Sequence, residues 1–113
     1  MLPKIKKLKL DKEFNEIFKT GRSTYGRFLG IKLIKNSLDY SRFGIVLGTK
    51  TEKSAVKRHR LKRMIYRAIE ENKNLVAFPC DCVIIVLPKI KEASFFDLNK
   101  DLLESFNKVF IKS

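Results

Sequence analysis

Lys-Thr-Glu-Lys-Ser-Ala-Val-Lys-Arg-His-Arg-Leu-Lys-Arg-Met-Ile-Tyr-Arg, residues 50–67, packs eight Lys or Arg and one acid, Glu52, into eighteen positions. That is +7 of the chain's formal +13. A solvated helix face usually interleaves both signs, so a block of one sign implies a polyanionic partner. At 100° per residue, Leu61, Met64, Ile65, Ala68 and Ile69 share one side (i, i+3, i+4, i+7, i+8) and read as a stripe packed on a sheet. Arg60, Arg63 and Arg67 fall on the opposite side, while Arg58 and Lys62 lie on a flank. Lys50, Lys53 and Lys57 add charge at the N-terminal approach, against the helix macrodipole, where exposed N–H groups suit a phosphate. The segment therefore reads as a folded basic helix, N-capped by Ser54 and ending near Asn72.

Outward from this helix the pattern changes period. Residues 42–50 and Cys82 to Leu87 read as strands, the second lying between Pro79 and Pro88. Residues 22–35 are extended, with Leu29, Ile31 and Leu33 alternating and room for one more strand edge, and residues 36–41 form a turn cluster. Leu10, Phe14, Ile17 and Phe18 define a short amphipathic helix stopped by Gly21, and Phe95, Leu98, Leu102, Phe106 and Val109 define a last helix opened by Ser94. Residues 1–9 read as a Lys-rich arm with little pattern. The simplest arrangement is a sheet covered by helices on one face.

At 113 residues and 44% apolar composition, one domain spanning 1–113 is expected. No apolar run reaches the roughly 18 residues that span a bilayer, and the basic N-terminus is not followed by a signal-peptide stretch, so a cytoplasmic location is expected. Cys80 and Cys82 point to one face of an extended chain and read as thiols behaving as small hydrophobes.

Catalytic groups are hard to find. His59 is the only histidine, the acids are scattered, and no phosphate-loop or nucleophile-elbow pattern occurs. Phe14 and Phe18, one helical turn apart, suit either a core or a groove that stacks unpaired bases. A ribosomal RNA-binding protein shares this charge and fold. A DNA-binding regulator would prefer a second helix before residue 54, where a strand is read. Membrane-surface binding is disfavoured because the apolar stripe is committed to the sheet.

Lys57-Arg58-His59-Arg60-Leu61-Lys62-Arg63-Met64-Ile65 closely resembles the "RNR" signature of the protein subunit of bacterial ribonuclease P. Phe14-x3-Phe18-Lys-x-Gly21, Arg42-Phe-Gly-Ile-Val-Leu-Gly-x-Lys50 and Asp81-Cys-Val-Ile-Ile-Val-x-Pro88 resemble further parts of that family, in order and over nearly the whole chain. The resemblance implies an α+β sandwich of order α-β-β-β-α-β-α, ribosomal protein S5 domain 2-like, with a left-handed βαβ crossover. It implies a non-catalytic subunit of an endoribonuclease that matures tRNA 5′ ends. The partners are then a catalytic RNA subunit, which binds Mg²⁺ and hydrolyses the phosphodiester, and precursor tRNA, with no obligate protein partner and no membrane.

By the same resemblance Arg60 and Arg63 meet the RNA subunit, extended by Arg67 and by Lys50, Lys53 and Lys57. Phe14, Phe18, Lys32, Arg58, His59 and Lys62 border a cleft for the 5′ leader, placed between the signature helix and the sheet. Four positions depart from the family pattern: His59 for Asn, Thr49 for a lysine, Lys32 for an aromatic, and Leu87 for an arginine.

Overall fold

The seven residues of Cys80–Val86 are almost all buried, with no alternation. A strand with that profile must be covered on both faces. In the computed structural model, which describes residues 6–8, 11–72, 75, 76 and 78–111, this strand is the centre of a five-stranded sheet. The strands are β1 (Lys6–Lys7), β2 (Arg22–Tyr25), β3 (Leu29–Lys35), β4 (Arg42–Val46) and β5 (Cys80–Val86). Their spatial order is β1-β4-β5-β3-β2. β5 pairs parallel with β4 and antiparallel with β3, and β2 and β3 form a hairpin. The helices are α1 (Asp11–Thr20), α2 (Ala55–Glu71) and α3 (Phe95–Ile111). Beyond the two-residue edge strand β1, the order is the expected α-β-β-β-α-β-α, and β4-α2-β5 is a βαβ crossover. None of the described helices is long and apolar enough to cross a membrane.

Helices cover both faces, which corrects the simpler expectation of one. Leu29, Ile31, Leu33, Phe43, Cys82, Ile84 and Val86 join Ile65, Ala68 and Ile69 of α2 and Leu98, Leu102 and Phe106 of α3 in the larger core. The alternate strand positions face α1, where Leu8, Ile17 and Val83 form a second, smaller cluster flanked by Phe14, Ile34 and Ile85. The physical reason is the period of two: β5 carries apolar side chains on both parities, and each parity needs its own cover. Leu10, expected in the α1 stripe, lies outside the described residues. In the arm, expected to carry little pattern, Lys6–Lys7 forms a strand that pairs with Arg42–Phe43.

The helix ends follow their capping residues. Ser54 Oγ accepts the Lys57 N–H at 3.3 Å. At α3 the exchange is reciprocal: Ser94 Oγ accepts the Asp97 N–H and Asp97 accepts the Ser94 N–H, both at 3.1 Å. Strand β4 ends at Val46, four residues before the expected Lys50, because the chain turns there: Gly48 C=O accepts the N–H groups of Thr51 and Glu52.

Two polar anchors tie the layers together. Asp101 of α3 is buried and accepts three backbone N–H groups, from Arg27 at 2.9 Å and from Phe28 and Leu29 at 3.0 Å. It thereby holds the β2–β3 turn, and a Cβ at Gly26 would collide with its carboxylate. On the other face, Arg42 donates to both oxygens of Asp81, at 2.9 and 2.7 Å, and to Glu13 of α1 at 2.6 Å. The Asp81 hydrogen bonds are the main cause of the upward shift of the Arg42 pKa. Asp81→Asn keeps the shape and loses the charge, so it should lower the unfolding free energy by about 1–2 kcal/mol. Urea denaturation measures this, and an unchanged midpoint would show that the cluster is merely solvated.

Cys80 and Cys82 are free and buried, as expected, with sulfurs 3.3 Å apart. Burial pushes the Cys82 thiol up, whereas hydrogen bonding to Cys82 and then Ser41 moves Cys80 down.

Candidate nucleic-acid interface

Strand register lays the α1 face out as three rows. The first row is Arg42, Asp81 and Ile34; the second is Gly44, Val83, Lys32 and Ser23. Helix α1 packs over these two on β5 and β3, leaving Ser23 exposed. Its Glu13 reaches Arg42, its Phe14 ring fills the space a Cβ would need at Gly44, and its Ile17 packs with Val83. The third row, Val46, Ile85, Gly30 and Tyr25, runs across β4, β5, β3 and β2 beyond the helix. Val46 is 37% exposed and Tyr25 52% exposed, with Ile85 half-buried between them. The result is an apolar shelf, and Phe18 of α1, 39% exposed, lies against Lys32 of the adjoining row.

Of the residues read as cleft-lining, the structure gathers Phe14, Phe18 and Lys32 on this face. Lys32 Nζ stands 5.6 Å from the Phe18 ring centroid and donates to the Phe18 C=O at 3.4 Å. Arg58, His59 and Lys62 come instead from α2, behind the sheet. Among the described residues the cleft expected between α2 and the sheet is not open, because Ile65, Ala68 and Ile69 pack there as core. Arg58 donates to the carbonyls of Glu52 and Lys53, at 2.9 and 3.0 Å, and so braces the loop ahead of its own helix. His59 is exposed and Lys62 half-buried on the flank.

The outward face of α2 is as expected. Arg60 and Arg63 are exposed, as are Lys50, Lys53 and Lys57. Arg67 is exposed but engaged, donating to Glu71 at 2.9 Å and lying 4.7 Å from the Phe95 ring centroid. Glu52, the block's only acid, is largely buried and accepts the Ser54 N–H at 3.1 Å. That bond, with Lys91, Lys57 and Arg58 nearby, holds its carboxyl below the usual range. Beside Arg60 a groove floored by Leu61, Met64 and Ile90 is rimmed by Lys57 and Lys91. Lys91 adds to this cationic surface, and only the tertiary packing of the Pro88–Glu92 turn reveals it.

Periodicity also missed Tyr25, Gly30, Ile85 and Val46. A glycine inside a strand often marks a close approach, and Gly30 was the available signal. The two surfaces lie on opposite sides of the sheet, and residues 47–54 lead from Val46, on the shelf, into α2. Among the described residues, no group of three or more His, Cys, Asp or Glu side chains could hold a metal ion.

A small α+β domain with a strongly basic helix on one side and a shelf carrying exposed aromatics on the other is built as an RNA-binding protein. Residues 2–109 match the family model described as Ribonuclease P, and the chain belongs to the ribonuclease P protein family. It is 37% identical over 98 residues to the ribonuclease P protein component of Clostridioides difficile, covering 86% of this chain and 85% of that one. The Syntrophomonas wolfei protein component is 32% identical over 108 residues, covering 96% and 90%. Among solved structures, the RNase P protein of Thermotoga maritima superposes with a TM-score of 0.78 at 30% identity, covering 88% of this chain and 93% of that one. The Staphylococcus aureus RNase P protein does so with 0.83 at 25% identity, covering 95% and 99%. The general role is tRNA processing within a ribonuclease holoenzyme that includes an RNA partner.

Proposed function

We propose that this chain grips two RNAs at once: the catalytic RNA subunit through α2, and the 5′ leader of precursor tRNA along the α1-side shelf. The observation that carries this reading is the separation of the two surfaces by the thickness of the sheet. Arg60 and Arg63 neutralise phosphates of the RNA subunit, helped by Lys50, Lys53, Lys57 and the partly engaged Arg67. Phe18 and Lys32 border the leader, with Phe14 as the packed support behind them. Arg58, His59 and Lys62 line the junction where the strand passes from one surface to the other. No side chain of the protein breaks a bond. Mg²⁺ acts on the RNA subunit and substrate, and the protein raises the local affinity of the substrate for them. The whole complex works in the cytoplasm.

Leader contacts of this kind are electrostatic and stacking in nature, hence strongly salt-dependent and weakly sequence-specific. The test is reconstitution with the matching RNA subunit at low Mg²⁺. Adding the protein should raise cleavage of leader-bearing precursor tRNA, and no gain at any protein concentration would overturn the reading. Phe18→Ala should weaken leader-bearing substrate several-fold, by loss of the aromatic surface that seats Lys32, and leave RNA-subunit affinity unchanged.

A further inference from the structure

The aromatic surface that faces the shelf most openly is not in α1. Tyr25 pairs directly with Gly30 across β2 and β3, and its ring occupies the space above that glycine. A Cβ at Gly30 would lie 2.5 Å from both Cδ1 and Cε1 of Tyr25. The tyrosine is therefore seated against backbone at the end of the uncovered row, with 52% of its surface still exposed. Phe18, by contrast, has the Lys32 ammonium standing over its ring. Lys32 shares the face with Tyr25, one row away, and pairs with Ser23 on the same hairpin.

From this arrangement we infer that Tyr25 is the stacking platform for one unpaired base of single-stranded RNA, with Lys32 on its Phe18 seat meeting the adjoining phosphate. The inference rests on the leader-binding reading above and assigns the stacking role within it. The occupant follows from the chemistry: an open aromatic face takes any base, and a cation one row away takes the phosphate that accompanies it. An apolar peptide would have no use for the Lys32 charge. The seat matters as much as the ring, because a tyrosine already held against Gly30 loses little freedom when a base arrives.

The chain contains no tryptophan, so Tyr25→Trp places a single fluorophore at the platform. In the holoenzyme reconstituted with the matching RNA subunit, leader-bearing precursor tRNA should quench and shift that fluorescence, whereas tRNA without a leader should not. Tyr25→Ala should reduce the affinity ratio of leader-bearing over leaderless tRNA by about tenfold, the scale of one lost base stack, and Tyr25→Phe should retain it. Unchanged fluorescence at saturating leader-bearing tRNA, or an unchanged ratio in Tyr25→Ala, would overturn the assignment while leader binding stands. If the unsubstituted holoenzyme shows no leader preference at all, the functional reading falls and the assignment falls with it.

Discussion

Asp101→Ala should lower the unfolding free energy by about 3–5 kcal/mol. The carboxylate is buried and accepts the N–H groups of Arg27, Phe28 and Leu29. Alanine leaves three donors without an acceptor, those of Phe28 and Leu29 buried, and each buried unsatisfied donor costs roughly 1–3 kcal/mol. Against a total of about 5–15 kcal/mol for a domain, the variant is close to the edge of folding at 37 °C. Asp101→Asn keeps one acceptor oxygen in place and should fall between the two. The urea midpoint, compared at equal slope, gives the answer, and a loss below about 1 kcal/mol would show that the turn is held mainly by its own Gly26–Leu29 hydrogen bond.

The largest effect on RNA is expected from Arg60→Glu combined with Arg63→Glu. Each phosphate contact contributes about 0.9 to the salt slope on a duplex, so losing two lowers it by about 1.8. At physiological salt that alone is roughly a thirty-fold weakening, and the added repulsion takes the double variant to about a hundredfold. Both residues are exposed and lie on the side of α2 away from the core, so stability should change little. Arg67→Ala should weaken binding less, because that guanidinium is already shared between Glu71 and the Phe95 ring. Filter binding of the labelled RNA subunit across a salt series measures the effect. A slope that stays put would show that these arginines do not meet phosphates. If leader preference were lost in parallel with RNA-subunit affinity, the division into two surfaces would be wrong.

How much of this is legible without coordinates depends on how local the determining physics is. Helix α2 is legible almost to the residue, since Ser54, the Leu61-to-Ile69 stripe and Asn72 all act within a few turns of each other. The outward arginine row follows from the same periodicity. The two-sided cover of the sheet was readable in principle from the unbroken apolar run of β5, but helical spacing alone does not say which face a helix takes. Asp101 reads as one more polar residue on an amphipathic helix, because its partners lie 72 to 74 positions away. Tyr25 and Gly30 become a unit only through hairpin register. Lys6–Lys7 forms a strand through its neighbour, Arg42–Phe43, and two lysines carry no pattern of their own.

The central position of β5 also governs the order in which the chain can become a protein. Its neighbours β3 and β4 are close in sequence but never touch as a pair, since β5 stands between them. Until residues 80–86 leave the ribosome, the nascent chain holds the β2–β3 hairpin, the short β1–β4 pair, and a polycationic segment without the central strand it packs across. Closing the sheet then requires pairings such as Lys35 with Cys80 and Leu29 with Val86, which span long stretches of chain and are slow to form. Asp101 arrives later still. Completion of the sheet thus waits for residues 80–86, and until then the apolar stripe of the basic segment lacks the core it packs on.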